Sequence, residues 1–199
     1  TSWDSDGTFV YGYNHNDISS NSKIISYGSC TVNAYVPFAN WINKKYKIVN
    51  SDVNVIHNIQ EYRVLENYTL TRKFCTLEKS ALNLLSCLNE DNFLVNYTVI
   101  PYTGVSMIDF RFSVNNSVKL STFIEDLDKE TKIGSLKDLY KLDDKDVGPE
   151  IYNCTPYSTV FIKEGIQIKD GQIYLQGYFD NENSVNRYYD LANFISKRI

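Results

Sequence analysis

The residues with the most scope for chemistry in this sequence are a cysteine and a histidine. Cys30 lies in SYGSCTVNAYVPFANW, residues 26–41, and His57 lies further along, in VNVIHNIQ. A thiolate is a strong nucleophile, and a nearby imidazole can accept the proton of the thiol. If the fold brought these side chains together, they would suit a cysteine-dependent hydrolase or transferase.

The residues around Cys30 favour a structural role instead. Apolar and polar residues alternate through 29–36, as in a half-buried strand. A papain-type nucleophile lies at a helix N-terminus, where the helix dipole stabilises the thiolate. A helix that began at Cys30 would contain Pro37 in its interior, at a cost of about 3 kcal/mol. We therefore predict that the helix begins at Pro37 and that Cys30 points into a sheet.

The pattern around His57 also favours the core. His57 shares one face of a predicted strand with Val53, Val55 and Ile59. A single histidine on an apolar face is more often a core residue with satisfied hydrogen bonds than a catalytic group. We therefore predict no catalytic residue, and Cys30 with His57 remains the alternative.

The cysteines favour a disulfide framework. They are spread along the chain with no C-x-x-C pair, and with only two histidines a zinc site is not expected. We predict two bridges, Cys75–Cys87 across a short loop and Cys30–Cys154, with four free thiols as the alternative. Disulfides imply an oxidising compartment. The chain begins with Thr1 rather than Met, which favours a removed targeting segment. The prediction is an extracellular or periplasmic (envelope) location.

Asparagine and tyrosine residues add candidate surface sites. Four N-x-[ST] sequons permit glycosylation without indicating it, because about 3 are expected by chance in a chain of this composition. They begin at Asn67, Asn96, Asn115 and Asn153. The chain has 16 tyrosines, a residue enriched in recognition surfaces. The candidate recognition residues are Tyr11, Tyr13, Tyr97 and Tyr102.

Charge and motifs exclude several classes of function. The net charge is −4, with no basic patch, so a nucleic-acid partner is not expected. No stretch approaches the roughly 20 apolar residues of a membrane span. The chain has no P-loop, no dinucleotide fingerprint, no G-x-S-x-G and no H-E-x-x-H. We predict neither a cofactor nor a metal ion.

The order of elements predicts an α+β fold. We expect a helix over 77–90, strands over 93–100 and 105–114, and an Asp-Gly hairpin within 165–179. A C-terminal helix from Ser184 carries an apolar stripe that should pack on the sheet. The stripe comprises Val185, Tyr188, Ala192, Ile195 and Ile199. Without βαβ alternation, the chain should form a bent, mainly antiparallel sheet with packed helices, in a single domain over 1–199.

These features together predict a non-enzymatic, disulfide-stabilised binding or interaction protein outside the cytoplasm, whose partner is another protein. The alternatives are the cysteine-dependent hydrolase or transferase and a structural subunit of a virion or cell envelope. The abundance of Asn, Ile, Lys and Tyr also suggests an AT-rich genome, such as that of a virus or other pathogen.

Overall fold

The fold is α+β and is built on one mixed sheet. The computed structural model describes residues 4–59, 62 and 71–198. Within that part of the chain there are ten strands: β1 Gly7–Thr8, β2 Ile25–Ser26, β3 Ile48–His57, β4 Thr71–Arg72, β5 Phe93–Val99, β6 Ser106–Val114, β7 Tyr140–Asp143, β8 Thr159–Ile162, β9 Gln167–Lys169 and β10 Gln172–Phe179. The α-helices of the same part are α1 Cys30–Tyr46, α2 Thr76–Leu84, α3 Leu120–Ile133 and α4 Glu182–Ser196.

The sheet has β3 near its centre. Its strand order is β4-β5-β3-β6-β10-β8-β7, with β9 paired to β10, while β1 and β2 form a separate small sheet. Most neighbours in the large sheet are antiparallel, but β3 runs parallel to β5 and β7 runs parallel to β8. The predicted fold class is confirmed. These two parallel pairs were not expected from the sequence.

An aromatic cluster fills the space between α1 and the sheet. Tyr35 stacks on Phe110 and Phe112 of β6, with ring centroids 6.1 and 6.0 Å apart. Phe38 contacts Phe161 of β8 at 4.5 Å. All five side chains are completely buried, and burial of one such side chain contributes about 1.5–3 kcal/mol. This packing fixes α1 against the centre of the sheet.

The predicted strand over 29–36 is wrong, because these residues begin α1. The Ser29 side chain caps the helix by accepting a hydrogen bond from the Val32 N–H at 3.3 Å. Residues 31–39 are all buried, so polar Thr31 and Asn33 lie inside the protein along with their apolar neighbours. A helix buried on every side has no polar face. The alternation that resembled a strand therefore carried no information about solvent exposure.

Pro37 lies inside α1, and a tyrosine from β7 compensates for it. Proline has no N–H, so the Asn33 carbonyl loses its usual helical donor. The Tyr140 hydroxyl lies close enough to donate to the carbonyl oxygens of Asn33 and Ala34, at 3.1 and 3.0 Å. The same hydroxyl accepts the Phe38 N–H at 3.2 Å. The cost that argued against a helix through Pro37 is thus offset by a residue more than 100 positions away.

The C-terminal helix forms as predicted but buries a different face. Leu191 is 2% exposed, whereas Val185 and Tyr188 of the predicted stripe are each 58% exposed. Polar residues anchor the buried face: Asn183 donates to the Ser158 carbonyl at 2.9 Å, and Arg187 donates to the Asp138 carbonyl at 3.4 Å. Ala192 is also exposed, Ile195 is half-buried, and Ile199 lies outside the described residues.

Other local predictions have mixed outcomes. The strands over 93–100 and 105–114 are confirmed as β5 and β6, and the Asp-Gly hairpin is confirmed as β9 and β10. At its turn, Asp170 and Gly171 both have positive φ, 48° and 74°, as a two-residue hairpin loop requires. The helix over 77–90 is shorter than predicted and ends at Leu84.

The predicted disulfides are wrong. Cys30, Cys75, Cys87 and Cys154 are all free. Cys30 is half-buried at the start of α1 and directed toward His57, whereas Cys154 is exposed in a loop. Cys75 is buried immediately before α2, while Cys87 lies beyond the end of that helix. In the part of the chain that the structure describes, no helix is long and apolar enough to cross a membrane.

Candidate active site

The fold brings Cys30 and His57 into contact. Cys30 is the first residue of α1 and His57 is the last residue of β3. Their Sγ and Nε2 atoms lie 3.3 Å apart, within hydrogen-bonding distance for sulfur. As predicted, His57 lies on the same face of β3 as Val53 and Val55. At the end of the strand, however, this face contacts the N-terminus of α1. The pair therefore lies where the helix and the central strand meet.

The start of α1 is held in place by hydroxyl contacts. The Ser29 hydroxyl lies 2.9 Å from that of Thr76 and 3.1 Å from that of Thr31. Thr31 Oγ1 also lies 3.5 Å from Cys75 Sγ. These contacts join the N-termini of α1 and α2. They leave Cys30 in the first turn of a helix, where the positive end of the dipole favours a thiolate.

The orientation of His57 makes Nε2 the acceptor for the thiol proton. His57 Nδ1 lies 2.6 Å from the backbone carbonyl of Asn58. A carbonyl oxygen can only accept, so Nδ1 must carry the proton of the neutral imidazole. Nε2 then presents its lone pair to Cys30. The pair is arranged for proton transfer from sulfur to nitrogen as the sulfur attacks an electrophile.

Burial keeps both members of the pair neutral when no substrate is bound. It raises the pKa of the Cys30 thiol to about 12, and hydrogen bonds from backbone N–H groups oppose it only in part. Burial also lowers the pKa of His57, against the hydrogen bond to the Asn58 carbonyl. Both effects disfavour the charged form. The resting site thus contains a thiol and a neutral imidazole.

Aromatic side chains line the space around the pair. The ring of Tyr97 lies 5.5 Å from that of His57, and the ring of Phe179 lies 5.7 Å from it at a steep angle. Burial raises the pKa of Tyr97, and the neighbouring Cys30 and Cys75 add to this effect. The site is half-buried, largely apolar and built around one nucleophile.

A polar network lies behind His57. Asn58 is 7% exposed and Ser106 is 1% exposed. The Asn58 N–H donates to the Ser106 hydroxyl at 3.0 Å, and that hydroxyl donates to Asn58 Oδ1 at 2.9 Å. The Asn58 side chain also donates to the Gly104 carbonyl and accepts from Asn181 Nδ2 at 3.3 Å. Sequence reasoning missed these residues, because nothing in their spacing along the chain predicts that they meet.

Of the other candidate surface residues, Tyr97 contacts this site, with its ring 5.5 Å from that of His57. Of the proposed recognition tyrosines, Tyr11, Tyr13 and Tyr97 are half-buried against the core, and only Tyr102, at 37% exposure, is exposed. A recognition surface made of them remains a prediction. Of the sequon residues, Asn115 and Asn153 are exposed, Asn96 is half-buried on β5, and Asn67 lies outside the described residues. Their glycosylation also remains a prediction.

Comparison with known proteins identifies a consistent set of relatives. No family model matches the chain. The glyceraldehyde-3-phosphate dehydrogenase of Helicobacter pylori is 28% identical over 202 residues, which cover 94% of this chain and 60% of that enzyme. Glyceraldehyde-3-phosphate dehydrogenase 1 of Bacillus cereus is 25% identical over 98% of this chain and 63% of that enzyme. The relatives are dehydrogenases. The chain spans about 60% of the length of these two.

A shorter stretch is more similar to another relative. The glyceraldehyde-3-phosphate dehydrogenase-like protein of Pseudomonas aeruginosa is 42% identical over 60 residues, which cover 30% of this chain and 13% of that protein.

These findings correct the functional prediction. The non-enzymatic, disulfide-stabilised binding protein is wrong, because the relatives are enzymes and all four cysteines are free. The extracellular or periplasmic location rested on those disulfides and on the residue at position 1. It is also wrong, because the disulfides are absent and the relatives are glyceraldehyde-3-phosphate dehydrogenases. Neither the hydrolase or transferase nor the envelope subunit matches the dehydrogenase relatives. A protein partner remains a prediction.

Proposed function

We propose that this chain carries the nucleophile-bearing site of an aldehyde-oxidising dehydrogenase, with Cys30 as nucleophile and His57 as base. The observation that carries the proposal is the 3.3 Å contact of Sγ with Nε2 at the first residue of a helix. The similarity of 94–98% of the chain to glyceraldehyde-3-phosphate dehydrogenases also supports the proposal. The name of these relatives makes glyceraldehyde 3-phosphate the first aldehyde to test.

The first chemical step follows from the resting state of the pair. As Cys30 Sγ bonds to the aldehyde carbon, the thiol proton passes to His57 Nε2 and the carbonyl π electrons move to oxygen. The protonated imidazole then returns its proton to that oxygen. The product is a neutral thiohemiacetal on Cys30. Because both groups begin and end neutral, the buried site never has to hold an isolated charge.

Oxidation of the thiohemiacetal requires a hydride acceptor, a role that nicotinamide dinucleotides fill in many enzymes. The residues of this chain do not fit such a cofactor. The sequence has no G-x-G-x-x-G fingerprint, and the sheet of the described residues is mixed rather than parallel and doubly wound. We therefore assign no residue of this chain to the acceptor and derive no step through it.

Protection of Cys30 from alkylation tests the proposal. The protein would be treated with iodoacetamide, with and without glyceraldehyde 3-phosphate, and each cysteine would be quantified by peptide mass spectrometry. We expect the aldehyde to slow labelling of Cys30 and to leave Cys154 unaffected, since Cys154 is exposed in a loop. Glycerol 3-phosphate, which lacks the aldehyde, is the matched control. Equal labelling of Cys30 with and without saturating aldehyde would refute the proposal.

A further inference from the structure

We propose that Asn58 is a positioning residue for His57. Its backbone carbonyl holds the His57 Nδ1 proton, and its side chain fixes the direction of that carbonyl. The effect on Cys30 rests on the proposed function, but the effect on the His57 ring does not. The two parts can therefore be tested separately.

The side chain and backbone of Asn58 form a closed ring of hydrogen bonds with Ser106. The Asn58 N–H donates to Ser106 Oγ at 3.0 Å, and Ser106 Oγ donates to Asn58 Oδ1 at 2.9 Å. This ring binds the end of β3 to the first residue of β6, beyond the last paired residue of β3. The backbone hydrogen bonds between β3 and β6 end before Asn58, and this ring of hydrogen bonds takes their place. It therefore restrains the Asn58 peptide, whose carbonyl accepts from His57.

Two further contacts complete the environment of Asn58. Its Nδ2 donates to the Gly104 carbonyl, and its Oδ1 accepts from Asn181 Nδ2 at 3.3 Å. Gly104 has φ +149°, a backbone conformation that residues with a side chain rarely adopt. Asn58 is buried and every one of its polar atoms has a partner. Such a saturated network holds one geometry.

The direction of the Asn58 carbonyl decides which nitrogen of His57 faces Cys30 as an acceptor. While the carbonyl accepts from Nδ1, Nε2 has a free lone pair for the thiol proton. If the carbonyl turned away, the other tautomer would become accessible, and its Nε2–H would be a donor that cannot take that proton. Partners of this kind, one step removed from the reacting atom, fix histidine orientation at many sites.

The tautomer of His57 is the readout that separates positioning from mere stabilisation. The chain has only two histidines, so the ¹⁵N NMR signals of His57 can be assigned with His15 as an internal reference. We expect the wild type to show one neutral tautomer with the proton on Nδ1. Asn58→Ala should give a mixture of tautomers for His57 and leave His15 unchanged. Ser106→Ala, which breaks the ring from the other side, should act in the same direction.

The rate of Cys30 alkylation is the second readout. In the wild type, His57 assists deprotonation, so the rate should level off above the pKa of His57. In Asn58→Ala we expect the rate at pH 7.5 to fall about tenfold. The rate should then keep rising with pH, because only pre-formed thiolate reacts. Asn92→Ala is the matched control, since Asn92 also bridges backbone groups, those of Val49 and Cys87, but does not contact His57.

The outcomes separate the two ideas. An unchanged His57 tautomer in both Asn58→Ala and Ser106→Ala would overturn the positioning role, whatever the stability of the variants. A mixed tautomer with unchanged alkylation of Cys30 would support positioning and overturn the catalytic pairing of Cys30 with His57. If Asn58→Ala does not fold, Ser106→Ala decides the tautomer question alone.

Discussion

At the scale of single residues, burial controls the chemistry of Cys30 and His57. Burial disfavours both the Cys30 thiolate and the His57 imidazolium, because it raises the pKa of the thiol and lowers that of the imidazole. A transfer between them, coupled to bond formation, avoids leaving either charge unpaired. In the proposed mechanism, the site therefore depends on contact between the two groups rather than on a permanently ionised cysteine.

The lowered pKa of His57 predicts a pH-dependent stability. The folded state binds fewer protons than the unfolded state once the pH falls below the ordinary value of 6.5, so the free energy of unfolding must fall there. We expect lower stability at pH 5.5 than at pH 7.5, measured by urea denaturation. His57→Asn should reduce this difference. His15, whose pKa is also lowered by burial, remains and accounts for the residual slope.

If His57→Asn had the same pH dependence of stability as the wild type, the pKa of His57 would not differ between the folded and unfolded states. His15→Asn tests the other contribution separately: it should remove the part of the pH dependence that comes from His15 and leave that of His57 in place.

Sequence reasoning named Cys30 and His57 as a possible pair but favoured a structural role for each. Cys30 and His57 are separated along the chain, and only the packing of α1 on β3 shows that they meet. The sequence also could not predict the Asn58 and Ser106 ring. Asparagine and serine are common at strand ends and turns, so neither residue is distinctive where it stands.

At the scale of elements, α1 depends on a contact that is remote in sequence. Tyr140 of β7 supplies the hydroxyl that bonds the helix around Pro37. Local propensity therefore predicted the wrong start for the helix, since the compensating group is contributed by tertiary structure. The helix that carries Cys30 is thus completed by a residue of the sheet.

Removing the Tyr140 hydroxyl should destabilise the protein. Tyr140→Phe leaves two buried carbonyl oxygens and one buried N–H without this partner, and we expect a loss of about 1–3 kcal/mol in the free energy of unfolding. Urea denaturation measures it. In a Pro37→Ala background the restored N–H can donate to Asn33, so the same substitution should cost less. Equal costs in both backgrounds would disprove the compensation.

The C-terminal helix α4 shows how polar anchors can hide a buried face. Asn183 and Arg187 are buried on the face that carries Leu191, and they bond to groups of other segments. A search for apolar periodicity passes over such a face because two of its members are polar. The predicted stripe was instead the more exposed side.

This assignment of faces predicts contrasting effects of two truncations on α4. Leu191→Ala should cost about 2–5 kcal/mol, as expected for a buried leucine. Val185→Ala, on the exposed side, should cost less than about 0.5 kcal/mol. Thermal or urea denaturation of the two variants measures the difference. Equal losses, or a larger loss at Val185, would contradict the orientation of α4.

At the scale of the whole molecule, the order of elements was enough to predict an α+β fold but not the path of the chain through the sheet. The crossover from β3 through α2 to β5 makes those strands parallel, although the sequence shows no regular βαβ alternation. This crossover also brings Tyr97 of β5 beside His57. One departure from the expected topology thus accounts for one wall of the candidate site. A single domain over 1–199 remains a prediction.

The functional prediction failed at this scale because it rested on cysteine spacing. An even number of widely spaced cysteines suits disulfides, but it equally suits free thiols with separate roles. Cys30 faces His57, whereas Cys75 is buried beside Thr31. Spacing along the chain cannot distinguish these cases.

The central claim is that Cys30 adds covalently to an aldehyde, and ¹³C NMR of a substrate labelled at the aldehyde carbon tests it most directly. Glyceraldehyde 3-phosphate labelled at that carbon would be mixed with wild-type protein, with Cys30→Ser and with His57→Asn. We predict a new tetrahedral carbon signal, bonded to sulfur, with the wild type, a weaker or slower one with His57→Asn, and none with Cys30→Ser. The same signal from Cys30→Ser, or no adduct with the folded wild type at saturating aldehyde, would contradict the claim.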